Sequence, residues 1–197
     1  MRKREHGTVL LVAAVVTVAL AAVGMGMLRA VTTGATAGAN LASQQSATLA
    51  ASMALERAVA TLFEAGAVDP AADDVTRNYF AVRADGEDTR GVPGTLQSLA
   101  RYPEAAQVID AGNGYRVRHL IERSCVAPGI ASIPTCTLSP PSVEAALGMP
   151  PPGEPPRMPY YRVTVRVDGA SGTTTFVQAT LCAAKANPRC SWRVLDE

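Results

Sequence analysis

Apolar residues run from Thr8 to Leu28 without a single charge, and a mixed pattern follows to Ala65. The uninterrupted run is about 21 residues long, which as a helix covers roughly 30 Å, the thickness of a bilayer's hydrocarbon core. From Leu41 to Phe63 the chain is rich in Ala, Leu, Gln, Glu and Arg, all good helix formers. Leu41, Leu55, Val59, Leu62 and Phe63 share one stripe at the helical period, with Leu49 and Met53 at its flank. No proline precedes Pro70. The pattern predicts one nearly continuous helix from about Thr8 to Ala65, an apolar half followed by an amphipathic half. Gly66 is placed to cap it, and Asp69-Pro70 stops any continuation.

Beyond Pro70 the helical period is lost. Asp73 to Val92 reads as polar and irregular, with Tyr79-Phe80-Ala81-Val82 as a short apolar piece, and Leu96 to Ile109 has room for a short helix. Gly112-Asn113-Gly114 predicts a hairpin turn, because Asn-Gly accepts positive φ. Behind it Tyr115, Val117, His119 and Ile121 alternate with Arg116, Arg118 and Glu122. A second hairpin is clearer: Tyr161, Val163, Val165 and Val167 alternate with Arg162, Thr164 and Arg166. Asp168 to Gly172 then turns the chain into Thr173–Leu181. Between the hairpins, 139–159 is dense in proline and reads as an extended surface loop. The expected fold class is α+β: a long N-terminal helix whose amphipathic half packs on a small antiparallel sheet.

Composition narrows this picture. In 197 residues there is room for one ordinary domain besides an anchor. A net charge of +1 provides no global field for nucleic acid or anionic lipid. Catalysis has little to draw on: of two histidines, His6 precedes the apolar run, and His119 sits on an alternating strand as a core-edge residue rather than a base. No phosphate-binding or dinucleotide glycine motif follows a strand, and no cofactor is expected. The four cysteines, Cys125, Cys136, Cys182 and Cys190, lack the short paired spacing of zinc sites and suit an oxidising compartment. Of three connectivities, local pairing of Cys125 with Cys136 and Cys182 with Cys190 is the expectation; a crossed or partly reduced arrangement is the alternative. Arg116, Arg118, Arg123, Arg162 and Arg166 suggest either a basic sheet face or a merely solvated polar one; DNA is not the expected partner.

Arg2-Lys3-Arg4 precedes the apolar run and no comparable cluster follows it, so the N-terminus is expected to stay cytoplasmic and the remainder to lie outside. A cleaved signal ending at Ala19-Leu20-Ala21 and a plain anchor are the rival readings. A third comes from resemblance. Basic residues, then Gly7, then an unbroken apolar helix resemble type IV pilins, and within them PilX-type minor pilins. Ala37-Gly38-Ala39-Asn40-Leu41, Ala50 to Ala58, the Tyr161–Thr173 hairpin and Ser191-Trp192-Arg193 are similar to further segments of that family.

This resemblance implies the following division: a leader at 1–7, a membrane and filament-core helix half at 8–28, an amphipathic half at 29–66, and a periplasmic head at 67–197. It also implies cleavage between Gly7 and Thr8 by a prepilin peptidase, methylation of Thr8, and residence in the bacterial inner membrane before the fibre. The implied partners are the peptidase, other minor pilins and the major pilin. Two positions depart from the family's pattern. Thr8 stands where most members begin the mature chain with Phe or Met, and Val12 stands where most carry glutamate. A subunit without that carboxylate has none to offer a neighbour's ammonium, which points to a tip or priming role. A general secretion pseudopilin of the GspK type shares this absence, but those are usually larger, with an inserted helical domain.

Overall fold

Helix α1 (Glu5–Phe63) spans 59 residues, close to the limits expected from the apolar pattern. The computed structural model describes residues 5–139, 147–148, 157–170, 172–182 and 189–195, so most of the proline-rich stretch at 139–159, and Ser171 of the second turn, lie outside the described residues. The chain divides into two units, Met1–Gln45 and Ser46–Glu197.

In the first unit the large apolar side chains from Val9 to Val31 are exposed. The hydroxyls of Thr17, Thr32, Thr33 and Thr36 bond within the helix. Thr17 donates to the Ala13 and Ala14 carbonyls at 3.0 and 2.9 Å, and Thr32 and Thr33 donate to the preceding turn in the same way. A threonine that bonds its own backbone brings no unpaired polar group to an apolar medium.

The second unit is the α+β head. Strands β1 (Tyr79–Phe80), β2 (Val108–Asp110), β3 (Arg116–Arg123), β4 (Tyr161–Asp168), β5 (Thr174–Leu181) and β6 (Arg189–Leu195) form one sheet. Its order is β1-β3-β4-β5-β6, with β2 also on β3. β3, β4 and β5 run antiparallel, as expected, and β6 adds a further antiparallel strand that was not expected. β1 differs: it pairs parallel to the end of β3, Tyr79 opposite Ile121, while β2 pairs antiparallel to its beginning. A two-residue parallel strand leaves no alternation to read in a sequence.

The 46–63 half of α1 covers one sheet face. Ala47, Ala50, Ala51, Ala54, Leu55 and Ala58 are buried there against Val117, Ile121, Val163, Val165 and Val177. The expected stripe is thus corrected. Leu55, Val59, Leu62 and Phe63 do pack inward, but Leu41, Leu49 and Met53 are exposed, and alanines form the seam. Small residues on the helix let its backbone approach the branched side chains that the sheet supplies, so large and small interdigitate. Past the helix, Gly66 takes a left-handed φ of 81°, and its carbonyl accepts from the Arg77 guanidinium.

The opposite face was expected to meet solvent, yet it too is buried. The connection from β1 to β2 folds over it, with the single-turn helix α2 (Gly94–Gln97) at its centre. Val92 and Leu96 pack there on Leu120, Phe176 and Leu195. Polar groups fasten this cover: Gln178 donates to the Gly91 carbonyl at 3.2 Å, and Arg166 to the Leu96 carbonyl at 2.9 Å. Residues 83–106 carry too few apolar side chains to announce a layer. It is the arginines and Gln178 of the sheet that reach up to hold them.

Both hairpin turns form where expected. Gly112, Asn113 and Gly114 all have positive φ, so the β2–β3 turn has three central residues rather than two. Gly114 also abuts the β4–β5 turn, where a Cβ would come within 2.7 Å of the Ala170 Cβ. Replacing Ala51, fully buried in the seam, with Leu is expected to overpack it and cost about 1–3 kcal/mol. Met53→Leu on the exposed side should cost little; urea unfolding of the full chain in detergent measures both.

Candidate functional site

Among the described residues, an apolar helix surface and two disulfides stand out. One helix among them is long and apolar enough to cross a membrane, and its most apolar stretch is not buried. Gly7 and Thr8, the expected cleavage and methylation positions, lie in the first turns of α1. Val12, which departs from the glutamate expected by the resemblance, is exposed in the apolar run. No protein-family model, curated protein or solved structure matches this chain.

In the head, Cys125 pairs with Cys136 and Cys182 with Cys190, the local connectivity. The first bridge closes a loop immediately after β3, and Cys125 and Cys136 also face each other in a β-bridge. The second joins the end of β5 to the start of β6. On a chain-entropy argument each such loop closure stabilises the fold by about 2–3 kcal/mol. No group of three or more His, Cys, Asp or Glu is gathered to hold a metal among the described residues.

His119 is fully buried on the helix-facing side of β3. Its imidazole lies 3.2 Å from the Asn78 amide nitrogen. Asn78, itself buried with a left-handed φ of 60°, donates to the Gln107 carbonyl at 2.9 Å and accepts from the Gln107 N–H at 2.7 Å. Its own carbonyl accepts from the Ile121 N–H at 2.8 Å. One asparagine thus ties the turn before β1, the approach to β2 and the middle of β3. Burial, then the Arg57 charge, lower the His119 pKa from 6.5 to about 4. The ring is neutral at neutral pH.

The sheet arginines do not form one basic face. Arg123 projects to the helix side and is spent on carbonyls, donating to Ala81 at 3.0 Å and Gly129 at 2.9 Å. Arg118 and Arg166 both pair with Asp168, at 2.7 and 2.8 Å. Arg162 bridges Glu122 at 2.8 Å and Glu87 at 2.7 Å. Glu122 is fully buried and also accepts from the Ala84 N–H at 2.7 Å. Burial pushes its carboxyl up from the ordinary value, while Arg162 and the Ala84 N–H oppose that shift. Hydrogen bonding from Arg162 outweighs burial at Glu87 and holds it below the usual carboxylate range. For Arg162 burial works downward, but the two carboxylates prevail and raise it.

Alternation predicted which strand positions share a face, but the partners of Arg162 lie 40 and 75 residues away in the chain, and no spacing rule reaches that far.

Arg162→Met is expected to cost about 3–5 kcal/mol by leaving Glu122 buried without its cation. Arg162→Met with Glu122→Met should recover most of that, as read from urea midpoints. His119 adds a pH dependence. Its folded pKa lies below its unfolded value, so the unfolded chain takes up the proton first as pH falls. Stability should drop between about pH 6.5 and 4, by on the order of 3 kcal/mol in the limit, and His119→Gln should flatten this part of the urea-midpoint profile.

Proposed function

We propose that this chain is a PilX-type minor pilin, incorporated at the tip or priming complex of a type IV pilus and supporting its assembly. One observation carries the reading: a helix free of charge from Thr8 to Leu28 runs on without a break into the helical layer of a small, disulfide-bonded sheet head. Gly7 stands immediately before the apolar run, behind a basic cluster.

On this reading the chain enters the inner membrane with its N-terminus cytoplasmic and its head periplasmic. The prepilin peptidase then cuts after Gly7. The apolar half cannot leave lipid for water, because burying each large aliphatic side chain is worth about 1.5–3 kcal/mol. It leaves only when neighbouring pilin helices replace the acyl chains, so the major pilin and other minor pilins are obligatory partners. Val12 suits such contacts without bringing a carboxylate into them.

A secretion pseudopilin would use the same helix in the same way. A module held permanently in the membrane would use it differently, and processing separates the two. Mass spectrometry of the mature protein should find Thr8 at the N-terminus with a methylated amine, and Gly7→Val should accumulate uncut. A chain that begins at Met1 or Ala22 overturns the proposal.

A further inference from the structure

The loop between Cys125 and Cys136 is pinned from several sides and yet turns its largest apolar side chains outward. The disulfide and the β-bridge close its base. The Val126 N–H donates to the Thr135 carbonyl at 2.8 Å, and the Cys136 N–H to the Ser132 carbonyl at 2.8 Å. The buried Arg123 guanidinium grips the Gly129 carbonyl at 2.9 Å. Despite this anchoring, Val126, Ile130 and Ile133 are 81%, 94% and 74% exposed. From Ser124 to Ser139 the chain carries no charged and no aromatic residue. Branched aliphatic side chains on a held backbone lose little entropy when covered, so a partner meets them pre-organised.

Val126 also lines a cavity of about 390 Å³, together with Arg83, Asp85 and Glu87. Glu87 is already neutralised by Arg83 at 3.1 Å and Arg162 at 2.7 Å. Asp85 is exposed and lines the same cavity, and its carboxylate has no hydrogen bond or ion pair among the described residues.

We propose that the Cys125–Cys136 loop and this cavity form a docking surface for a second protein, one that presents aliphatic side chains next to a lysine or arginine. The aliphatic residues cover the exposed loop, and the cation enters the cavity to meet Asp85. A lipid surface fits less well, because the loop lacks the aromatic and basic residues that anchor at a bilayer interface, and Asp85 would face anionic headgroups. This surface lies in the head and stands independently of how the apolar helix is used.

The test is photocrosslinking of the full chain in its own cells, with benzoylphenylalanine at Ile130 and, as control, at exposed Glu104. Position 130 should give a discrete protein adduct that position 104 does not. Mass spectrometry should map it to a segment with aliphatic residues beside a lysine or arginine. Asp85→Lys should lower its yield about tenfold, a change equivalent to 1.4 kcal/mol. Asp85 is exposed, and an unchanged urea midpoint verifies the fold of that variant. Adducts to lipid alone, to a second copy alone, a protein adduct indifferent to Asp85→Lys, or no adduct would each overturn the proposal. Cleavage at Gly7 is read separately, so either idea fails without the other.

Discussion

Burial of a row of helix alanines against branched strand side chains is the constraint on which the head depends. Here the helix yields, with Ala47, Ala50, Ala51, Ala54 and Ala58, while the sheet provides Val117, Ile121, Val163, Val165 and Val177. Dispersion contacts are individually small and add up over many atoms, so the arrangement gains from the whole buried row rather than from the volume of any one residue. The same alanines favour the helix itself, since they surrender no rotamer freedom on forming it. Local preference and tertiary fit therefore agree along this segment.

On the far side of the sheet the logic is different. Few large apolar residues are available to seal the cover, and its attachment is mostly ionic and hydrogen-bonded. Arg162, Arg166 and Gln178 reach from the strands to Glu87, the Leu96 and Gln97 carbonyls, and the Gly91 carbonyl. Such contacts are directional, so they select one register of the cover over another. Buried ion pairs of this kind contribute little net stability, because desolvation offsets much of their attraction. The head is thus a sheet between an adhesive layer of alanines and a keyed layer of charges.

Legibility in the sequence follows the range of the forces involved. α1 was readable because a missing charge and a 3.6-residue period are local facts, and the β4–β5 hairpin because its alternation and its Gly-rich turn are local too. The packing stripe was misjudged since large residues such as Leu49 and Met53 weigh more in any hydrophobic pattern than alanine does. β6 escaped notice because Arg189 and Arg193 interrupt a short run, and the cover because its ties are made by residues far off in the chain. The local disulfides were within reach of spacing, whereas the Asn78–His119 node had no marker beyond two polar residues at strand positions.

The bridge from Cys182 to Cys190 limits how far the last strand can detach. β6 stands at the border of the sheet, and its later residues pair with the beginning of β5, Leu195 opposite Phe176. Fraying that starts at Leu195 travels back only to Cys190, where a covalent tether takes over from hydrogen bonds. The strand can lift at its tail but cannot depart, so the end of the neighbouring strand next to Cys182 keeps its cover even while the rest of the edge opens.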